Sequence, residues 1–482
     1  MAVDYNLAVI GGSLAGIQAA IDAVQRRARV ALVLQNGIAQ EERLSFLRIQ
    51  ALALASQTLR QAASAPLWGM HWGTEADSVP SVHWSDLMQW PLRVVDLLSH
   101  AEQPAALATL GIDVIADRGE FIRTPSLTFQ AGHRRVQSRS YLLATGYHSY
   151  VPEIPGLDQV EYLTAETLGK LTDRPSHLIV LGGDPTGVAL AQALNRLGTR
   201  VTVVVKGEQI LAREDGEMAF LIQAQLEAEG VQILTHTPVS QIRQLQGEIW
   251  VQAGDRALAA DAIFVAAGTQ MALPSLNLEA VGVRRRERGL VVNHRLQTTN
   301  SRIYTCSQPI DGYGMLHIAQ YQASIAVKNA LTWPFSRIEY RHCPVVTFTD
   351  PGLARVGLTE LQAHSHHGKD VLVLRHSFKA LDKAQLGNIP TGFCKLLVHR
   401  NGKILGAHLV GPEASELIHP IALVMQQGLT VQTLASQPLV FPTLSEILQK
   451  TAREFDRLML ERDRRRQERW EGWLSWLRSV TK

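Results

Sequence analysis

Cysteine is scarce in this sequence, and the few cysteines present argue against two classes of protein. Only Cys306, Cys343 and Cys394 occur, and none of them forms a CxxC pair. Disulfide frameworks and thiolate zinc sites both depend on closely spaced or repeated cysteines. We therefore predict neither.

Long apolar runs and a strong net charge are also missing. No stretch is apolar for the ~18 residues that a membrane-spanning helix requires, so no transmembrane segment is predicted. The formal net charge is +3, which is too small to indicate a nucleic-acid partner. The first apolar strand begins by Leu7 and leaves no room for a signal peptide, so we expect a cytoplasmic protein.

Two glycine-rich turns are present, at residues 11–16 and 182–187. Each follows an apolar run, Leu7 to Ile10 in the first case and Leu178 to Leu181 in the second, and each opens a stretch with helical periodicity. A strand, a glycine-rich turn and a helix together aim backbone N–H groups at a pyrophosphate. Two such units in one chain predict one flavin site and one nicotinamide site.

Beyond Cys343 the pattern changes to separate strands followed by helices, which is typical of an α+β domain. Four strings in this part are specific when they occur in order: Thr-Asp-Pro at 349–351, Val-Gly-Leu-Thr-Glu at 356–360, Gly-Ala-His-Leu-Val-Gly-Pro at 406–412 and Pro-Thr-Leu-Ser-Glu at 442–446. With them, the layout resembles the pyridine nucleotide–flavoprotein disulfide reductases, the group of dihydrolipoamide dehydrogenase, mercuric reductase and soluble transhydrogenase. The resemblance covers about residues 5–450.

The resemblance implies an α/β protein with two Rossmann-like nucleotide-binding domains and a C-terminal α+β dimerisation domain. The FAD-type domain is expected over residues 1–150 and 270–340, the NAD(P)-type domain over 151–269, and the dimerisation domain over 341–452. A basic, tryptophan-rich amphipathic helix is expected over 453–482. Family members of this kind form homodimers, so a homodimer is implied here.

The chain departs from the family at its redox centre. Matching residues 50–52 to the family's Lys-Ala-Leu places Glu41 and Phe46 at the positions of the two redox cysteines. No cysteine precedes Cys306, so a shift in this alignment changes nothing. Thiol–disulfide exchange needs a thiolate, and we therefore expect no disulfide reductase activity.

The groups that support the redox centre are also replaced. The family's Lys–Glu pair beside the flavin matches Gln50 and Ala189, and losing both members together leaves no charge unpaired. The catalytic histidine before Pro-Thr matches Phe441, while the carboxylate that orients it has a match in Glu446. Without an imidazole the usual proton shuttle is lost, and no catalytic residue is assigned.

FAD binding is expected to survive in weakened form. The acid that would hold the adenosine ribose is replaced by Leu34, with Gln35 beside it, and the family's Gly-Asp near the ribityl chain is replaced by Ser307-Gln308. A Rossmann core kept only for folding is the alternative. The expected FAD-binding residues are Gly11, Gly12, Ser13, Leu14, Ala15, Gly16, Gln35, Gly119, Thr145, Gly146, Gln308, Leu316 and His317.

Nicotinamide binding is expected to be weaker still. Asp184 replaces the middle glycine of the second turn, and a carboxylate about 5 Å from a phosphate costs roughly 3 kcal/mol at an effective dielectric constant of about 20. Lys206 follows the second strand and can meet a 2′-phosphate, which favours NADP(H). Alternatively, Asp184 caps the helix and Lys206 is a solvated lysine. The expected contact residues are Gly182, Gly187, Lys206 and Gly268.

Two further groups of residues receive structural interpretations. His364, His366 and His367 lack a suitably spaced carboxylate, so we predict a solvated loop after a helix and no metal site. Residues 68–90 are read as irregular. Their four tryptophans, Trp68, Trp72, Trp84 and Trp90, are interpreted as core packing in preference to a cover over the flavin side.

The C-terminal segment combines arginines with an apolar face. Arginines at 462, 464, 465, 466 and 469 precede Trp470, Trp473 and Trp476. Basic residues beside interfacial tryptophans suit an anionic membrane surface, which would make the protein a peripheral membrane protein. A protein partner, or the protein's own dimer, is the alternative partner for residues 460–482.

Two functional hypotheses follow. In the first, the chain is an FAD-dependent oxidoreductase without dithiol chemistry, moving electrons from NAD(P)H to a quinone or another acceptor at a membrane surface. In the second, it is a catalytically inactive pseudoenzyme that serves as a dimeric scaffold or an assembly or regulatory partner, with or without flavin.

Overall fold

The computed structural model describes residues 3–38, 40–68, 70, 82–123, 126–310, 312–462 and 464–480. The described α-helices are α1 (Leu14–Gln25), α2 (Gln40–Ser64), α3 (Trp84–Ser99), α4 (Pro104–Thr109), α5 (Pro185–Arg196), α6 (Gly216–Ala228), α7 (Leu316–Leu331), α8 (Glu360–His367), α9 (Asp382–Leu386), α10 (Ala414–Gln426), α11 (Val431–Ser436), α12 (Glu446–Arg462) and α13 (Arg464–Val480).

The described strands of the N-terminal half are β1 (Tyr5–Gly12), β2 (Val30–Ile38), β3 (Ile112–Ile115), β4 (Gly119–Ile122), β5 (Thr128–Ala131), β6 (Arg134–Val136), β7 (Ser138–Leu143), β8 (Tyr147–Ser149), β9 (His177–Leu181), β10 (Arg200–Val204) and β11 (Gln232–Leu234). Those that follow are β12 (Val239–Leu245), β13 (Glu248–Ala253), β14 (Arg256–Ala260), β15 (Ala262–Val265), β16 (Thr269–Met271), β17 (Arg285–Arg286), β18 (Gly289–Leu290), β19 (Ile303–Thr305), β20 (Val345–Thr347), β21 (Gly352–Gly357), β22 (Val371–Ser377), β23 (Phe393–His399) and β24 (Ile404–Gly411).

The chain divides into two compact units. The first comprises Met1–Arg60, Trp72–Gly207 and Gly230–Ile338, and the second comprises Gln61–His71, Glu208–Glu229 and Glu339–Lys482. The two parallel sheets lie in the first unit, and a five-stranded antiparallel sheet lies in the second. The predicted α/β fold class, with two Rossmann-like sheets followed by an α+β domain, is confirmed.

The first parallel sheet has the strand order β19-β7-β1-β2-β3. Its central strand β1 is buried from Leu7 onward, as a parallel strand covered on both faces should be. β2 pairs in parallel with one edge of β1 and β7 with the other, so the order in which strands are added to the sheet reverses at β1. In open α/β sheets, ligands bind beyond the carboxyl end of the strand at such a switch point. This places the first glycine-rich turn at the expected position.

The second parallel sheet repeats the arrangement with the order β11-β10-β9-β15. Here β9 is the switch-point strand, and all five of its residues, His177–Leu181, are buried. The turn at residues 182–187 follows β9 directly and leads into α5. Both turns therefore hold equivalent positions in their sheets.

The sheet of the second unit has the order β20-β21-β24-β23-β22, and all its pairings are antiparallel. Its buried apolar side chains, such as Leu396 and Leu409, pack with α10 and α12 residues such as Ile418 and Phe455. This is the α+β arrangement that the change of pattern after Cys343 predicts.

A buried lysine lies among three carboxylates inside this unit. The ammonium of Lys395 is 2.6 Å from Asp215 Oδ1, 2.8 Å from Glu360 Oε2 and 3.0 Å from Glu217 Oε2. Although burial opposes it, the hydrogen bond from Lys395 holds the pKa of Asp215 below its usual range. Lys395 thereby links α6, α8 and β23.

We expect Lys395→Met to destabilise the protein by about 3–5 kcal/mol, because the buried carboxylate of Asp215 would lose its charged partner. Chemical denaturation at neutral pH measures the change. Lys369→Met is the matched control, since Lys369 is exposed and surface substitutions usually stay within about 0.5 kcal/mol. Equal unfolding midpoints for the two variants would contradict a stabilising role for Lys395.

Candidate functional site

The first glycine-rich turn packs tightly against the end of β7. Gly11 has φ +115°, and a Cβ added there would lie 2.4 Å from the carbonyl oxygen of Ala144. A Cβ at Gly16 would lie 2.7 Å from the Cβ of Ala144. Only glycine permits this approach, and it brings residues 11–16 beside Thr145 and Gly146.

Helix α1 starts at this turn with a side-chain cap. Ser13 Oγ accepts a hydrogen bond from the N–H of Gly16 at 3.1 Å, so the serine that replaces the middle glycine is used structurally. The positive end of the helix dipole still favours an anion at this place.

The turn after β7 carries an unused polar group. Gly146 donates its N–H to Ser307 Oγ at 3.1 Å. The Thr145 hydroxyl is enclosed and has no hydrogen-bond partner among the described residues. An enclosed hydroxyl without a partner costs free energy unless a ligand or water satisfies it. The turn therefore has hydrogen-bonding capacity that a ligand or a bound water can use.

Gln35 is already engaged by the protein. Its amide nitrogen donates to the carbonyl of Gly119 at 3.1 Å, and its amide oxygen accepts from the N–H of Gly119 at 3.2 Å. The hydrogen bond that we expected Gln35 to offer a ribose is thus made to Gly119, another predicted contact residue. Gln35 and Gly119 are brought together, and they satisfy each other.

Gln308 is likewise held in place. Its backbone N–H donates to Gln322 Oε1 at 3.0 Å, and its side-chain oxygen accepts from Arg286 at 3.1 Å. Sequence reasoning missed Arg286, although the arginine run at 284–286 offered a signal. The position that carries a family acid therefore carries a neutral amide bonded to a cation.

Leu316 and His317 begin helix α7, where Leu316 is half-buried and His317 is exposed. Helix α7 packs against α1. These two predicted contact residues therefore lie on an element that borders the first turn's helix.

The most consequential group missed by the sequence is Glu42, in the first turn of α2. Its carboxyl group is enclosed, and Oε2 has no hydrogen-bond partner among the described residues. A Cβ added at Gly146 would lie 3.6 Å from this oxygen and 3.6 Å from the Cβ of Ser13. Burial raises the pKa of Glu42 to about 7, opposed by a hydrogen bond from the Leu14 backbone. A carboxyl group therefore lies at the turn predicted to hold a diphosphate.

An ion pair lies where the alignment places the redox cysteines. Glu41 Oε1 is 2.9 Å from Arg48 Nη1, and the side chain of Arg48 is only 11% exposed. Phe46, the second matched position, is exposed. Burial raises the pKa of Cys306 and Cys394 to about 12. The cysteines present thus do not supply thiolates at neutral pH.

The second turn is closed by its own aspartate. Asp184 Oδ1 accepts from the N–H of Gly187 at 2.7 Å, and Oδ2 accepts from the N–H of Gly268 at 3.0 Å. Asp184 is the N-cap of α5, as the helix-cap alternative predicts. Burial raises the pKa of this carboxyl. Both carboxylate oxygens thus use donors that a bound diphosphate would require.

The other predicted nicotinamide contacts lie around this turn. A Cβ at Gly182 would lie 2.1 Å from the carbonyl oxygen of Ala266, so the strand–turn packing of the first site is repeated. Lys206 follows β10 and is exposed. Arg288, which the sequence reasoning did not single out, lies over the ring of Tyr150 at 3.9 Å and donates to the carbonyl of Ala267.

In the second unit, the position matched to the family's catalytic histidine carries a phenylalanine, which cannot transfer a proton. Phe441 is 67% exposed. Glu446, which matches the carboxylate that would orient a histidine, accepts from the backbone N–H of Thr443 at 3.0 Å. The carboxylate thus accepts a backbone hydrogen bond just before helix α12 begins.

Two structural interpretations of the sequence are wrong. His364, His366 and His367 form the last turns of helix α8 and are not in a loop, because Thr359 and Gln362 form a capping box that starts the helix there. The segment read as irregular contains helix α3 from Trp84 onward. Trp68 is 44% exposed and Trp90 is 59% exposed, so they are not core residues. Trp72 lies outside the described residues.

The C-terminal helix α13 carries its tryptophans on the surface. Trp470, Trp473 and Trp476 are each about half-exposed, and the rings of Trp470 and Trp473 are 5.3 Å apart. None of the described helices is long and apolar enough to cross a bilayer.

Comparison with known proteins agrees with this architecture. Residues 5–323 match the model of the pyridine nucleotide-disulphide oxidoreductases, and residues 343–452 match their dimerisation domain. The chain is 31% identical over 465 residues to a mercuric reductase of Staphylococcus aureus, covering 94% of this chain and 83% of that relative.

Two solved structures are similar over almost the whole chain. One is the Cu(II) complex of the HOCl-induced flavoprotein disulfide reductase RclA from Escherichia coli, with a TM-score of 0.81, 27% identity and coverage of 94% of this chain and 100% of that one. The other is LpdA from Mycobacterium tuberculosis, with a TM-score of 0.83, 25% identity and coverage of 93% and 99%.

We expect Asp184→Gly to tighten NADPH binding by about a hundredfold, because it removes a charge worth roughly 3 kcal/mol of repulsion. A glycine cap costs the helix only a few tenths of a kcal/mol. Isothermal titration measures the affinity. Asp184→Asn, which keeps the size and one acceptor oxygen, should give an intermediate value. Wild-type affinity equal to that of Asp184→Gly would show that the carboxylate does not oppose the cofactor.

Proposed function

Because the chain belongs to the pyridine nucleotide-disulphide oxidoreductase family, we propose that it is an FAD-dependent oxidoreductase that passes electrons without a dithiol. Members of this family are FAD-dependent, and the matched dimerisation domain supports a homodimer. The single observation that carries the proposal is the enclosed Thr145 hydroxyl, which has no partner in the described structure and belongs to a residue whose backbone packs against Gly11 of the first glycine-rich turn.

The residues of the first turn fit the cofactor's diphosphate. Gly11 and Gly16 allow the turn to approach the end of β7, and the start of α1 directs backbone N–H groups and the positive end of its dipole toward an anion. Thr145 would donate or accept one hydrogen bond. A bound flavin supplies hydride and electron transfer, for which the protein provides orientation and electrostatics.

The electron acceptor is proposed to be something other than a disulfide. The two positions matched to the dithiol carry Glu41, which is paired with Arg48, and Phe46. Phe441, at the position matched to the catalytic histidine, offers no proton-transferring group. An acceptor that takes electrons directly from the flavin, such as a quinone, needs neither group. NADP(H) is the proposed donor, with the capped second turn limiting its affinity.

An inactive dimeric scaffold is the second candidate, and one observation favours it. Carboxyl groups of the chain itself, Glu42 and Asp184, lie at both nucleotide-binding turns. A protein selected only to fold could satisfy its helix starts in this way without any cofactor.

We expect the purified protein to show flavin absorption bands that NADPH bleaches under anaerobic conditions. Thr145→Val should weaken FAD binding about 3- to 10-fold, since one hydrogen bond is worth about 0.5–1.5 kcal/mol. The thermal stability of the protein without FAD should be equal or higher, because an enclosed hydroxyl without a protein partner is removed. Thr298→Val, at a buried threonine remote in sequence from both turns, is the control. A protein that stays colourless after incubation with FAD would support the scaffold.

We further propose that α13 holds the protein on an anionic membrane surface. Residues 460–482 contain seven basic and four acidic residues, and the three tryptophans of this helix are exposed. Interfacial tryptophans supply apolar contact, and each basic residue near an anionic surface contributes about 1 kcal/mol.

The full chain should float with phosphatidylserine-containing vesicles at low salt and not with neutral ones. The double variant Trp473→Ala, Trp476→Ala should lose most of this binding, because the apolar contact is removed. Trp333→Ala, which alters a tryptophan outside α13 that is more exposed than those of the helix, should bind like the wild type. Equal flotation of all three proteins would remove the membrane proposal and leave a protein partner or the dimer itself.

A further inference from the structure

An enclosed carboxyl group at an anion-binding turn is an unusual arrangement. Glu42 reaches the start of α1 from helix α2, where the Leu14 backbone donates to its carboxyl group, and its Oε2 lies 3.6 Å from where a Cβ on Gly146 would be. One oxygen has no hydrogen-bond partner in the described part of the chain. A carboxylate that served only to cap the helix would accept hydrogen bonds with both oxygens, as Asp184 does at the second turn.

The attraction of Glu42 to this place has a simple cause. The Leu14 backbone N–H stabilises the charged form of the carboxyl, and the positive end of the helix dipole acts in the same direction. These are the features that attract a phosphate group. The same donor therefore serves either the carboxylate of Glu42 or an incoming diphosphate.

We propose that Glu42 competes with the FAD diphosphate for the first glycine-rich turn, so that flavin binding is coupled to protonation of this carboxyl. The inference rests on the proposed flavoprotein function. A carboxylate and a diphosphate at one enclosed turn repel each other, whereas a neutral carboxylic acid can donate a hydrogen bond to a phosphate oxygen. The protonated form of Glu42 is thus compatible with the cofactor.

Among the groups around Glu42 described below, only its own carboxyl titrates near neutral pH. The first turn of α1 contributes Ser13 and Leu14, and the turn after β7 contributes Thr145 and Gly146, none of which titrates. The thiol of Cys306 at the end of β19 senses the charge of Glu42, but its pKa of about 12 keeps it protonated.

The charged neighbours on helix α2 are already paired with other residues. Glu41 pairs with Arg48, and Arg43 lies 2.5 Å from Glu102. Neither arginine lowers the pKa of Glu42. Burial therefore dominates and raises this pKa to about 7. The pH at which protonation of Glu42 affects FAD binding is therefore close to neutral.

The direction of the pH effect follows from linkage. Below about pH 7 the carboxyl is neutral in both the free and the bound protein, so FAD affinity is highest and constant. Above about pH 7 the free protein is ionised while the complex keeps the proton, so each pH unit weakens binding up to tenfold.

The test is FAD titration of the apoprotein between about pH 6 and about pH 9, followed by flavin fluorescence and by calorimetry in buffers of different ionisation enthalpy. The FAD affinity of the wild-type protein should fall up to tenfold per pH unit above about pH 7. At about pH 8 the wild-type protein should take up close to one proton for each FAD bound. Glu42→Gln should bind with a pH-independent affinity, about tenfold above wild type at pH 8, and take up no proton.

Glu41→Gln is the matched control, because it removes the neighbouring carboxylate of the same helix and should keep the wild-type slope. A pH-independent affinity shared by wild type and Glu42→Gln would overturn the competition while leaving the flavoprotein function intact. Failure of both proteins to bind FAD at every pH would overturn the flavoprotein function and the competition together.

Discussion

The backbone N–H groups at the start of α1 and α5, which have no carbonyl partner in the preceding turn of their own helix, are the constraint on which the rest of this structure depends. A helix start leaves such donors without internal partners, and here the glycine turns pack them against β7 and β15, where Cβ atoms would collide. Something must accept these hydrogen bonds. In a nucleotide-binding fold the acceptor is a phosphate; in this chain, carboxyl and hydroxyl groups of Ser13, Glu42 and Asp184 compete for the role.

The two turns have met this constraint differently. Asp184 belongs to its own turn, and its two oxygens accept hydrogen bonds from the N–H groups of Gly187 and Gly268. Those donors are therefore already satisfied without a ligand. Glu42 comes from a different helix, has one oxygen without a partner among the described residues and lies near Gly146, which follows Thr145 in the chain. Polar groups that are enclosed and unsatisfied are expensive to keep, so the first site retains a reason to bind an anion that the second has lost. Flavin is therefore better supported by this architecture than nicotinamide.

Much of the fold could be predicted because its signals are local. The buried strand before each turn and the glycines at 11, 16, 182 and 187 are readable from neighbouring residues, and Asp184 as a helix cap follows from its position before Pro185. Glu42 could not be predicted, because its partners lie about 30 residues earlier and more than 100 residues later in the chain. The same holds for Gln35, whose amide pairs with Gly119, and for the capping box that extends α8 through the histidines.

The Glu41–Arg48 pair has a consequence for the chemical durability of the protein. Oxidants and thiophilic metals attack sulfur in its thiolate form. Cys306 and Cys394 are buried, and Cys343, half-buried, has a pKa of about 11. Glu41, at one of the two matched dithiol positions, is paired with Arg48, and neither a carboxylate nor a guanidinium undergoes the oxidation and metal binding of a thiolate. We therefore expect the protein to resist reagents that inactivate enzymes through a reactive thiolate.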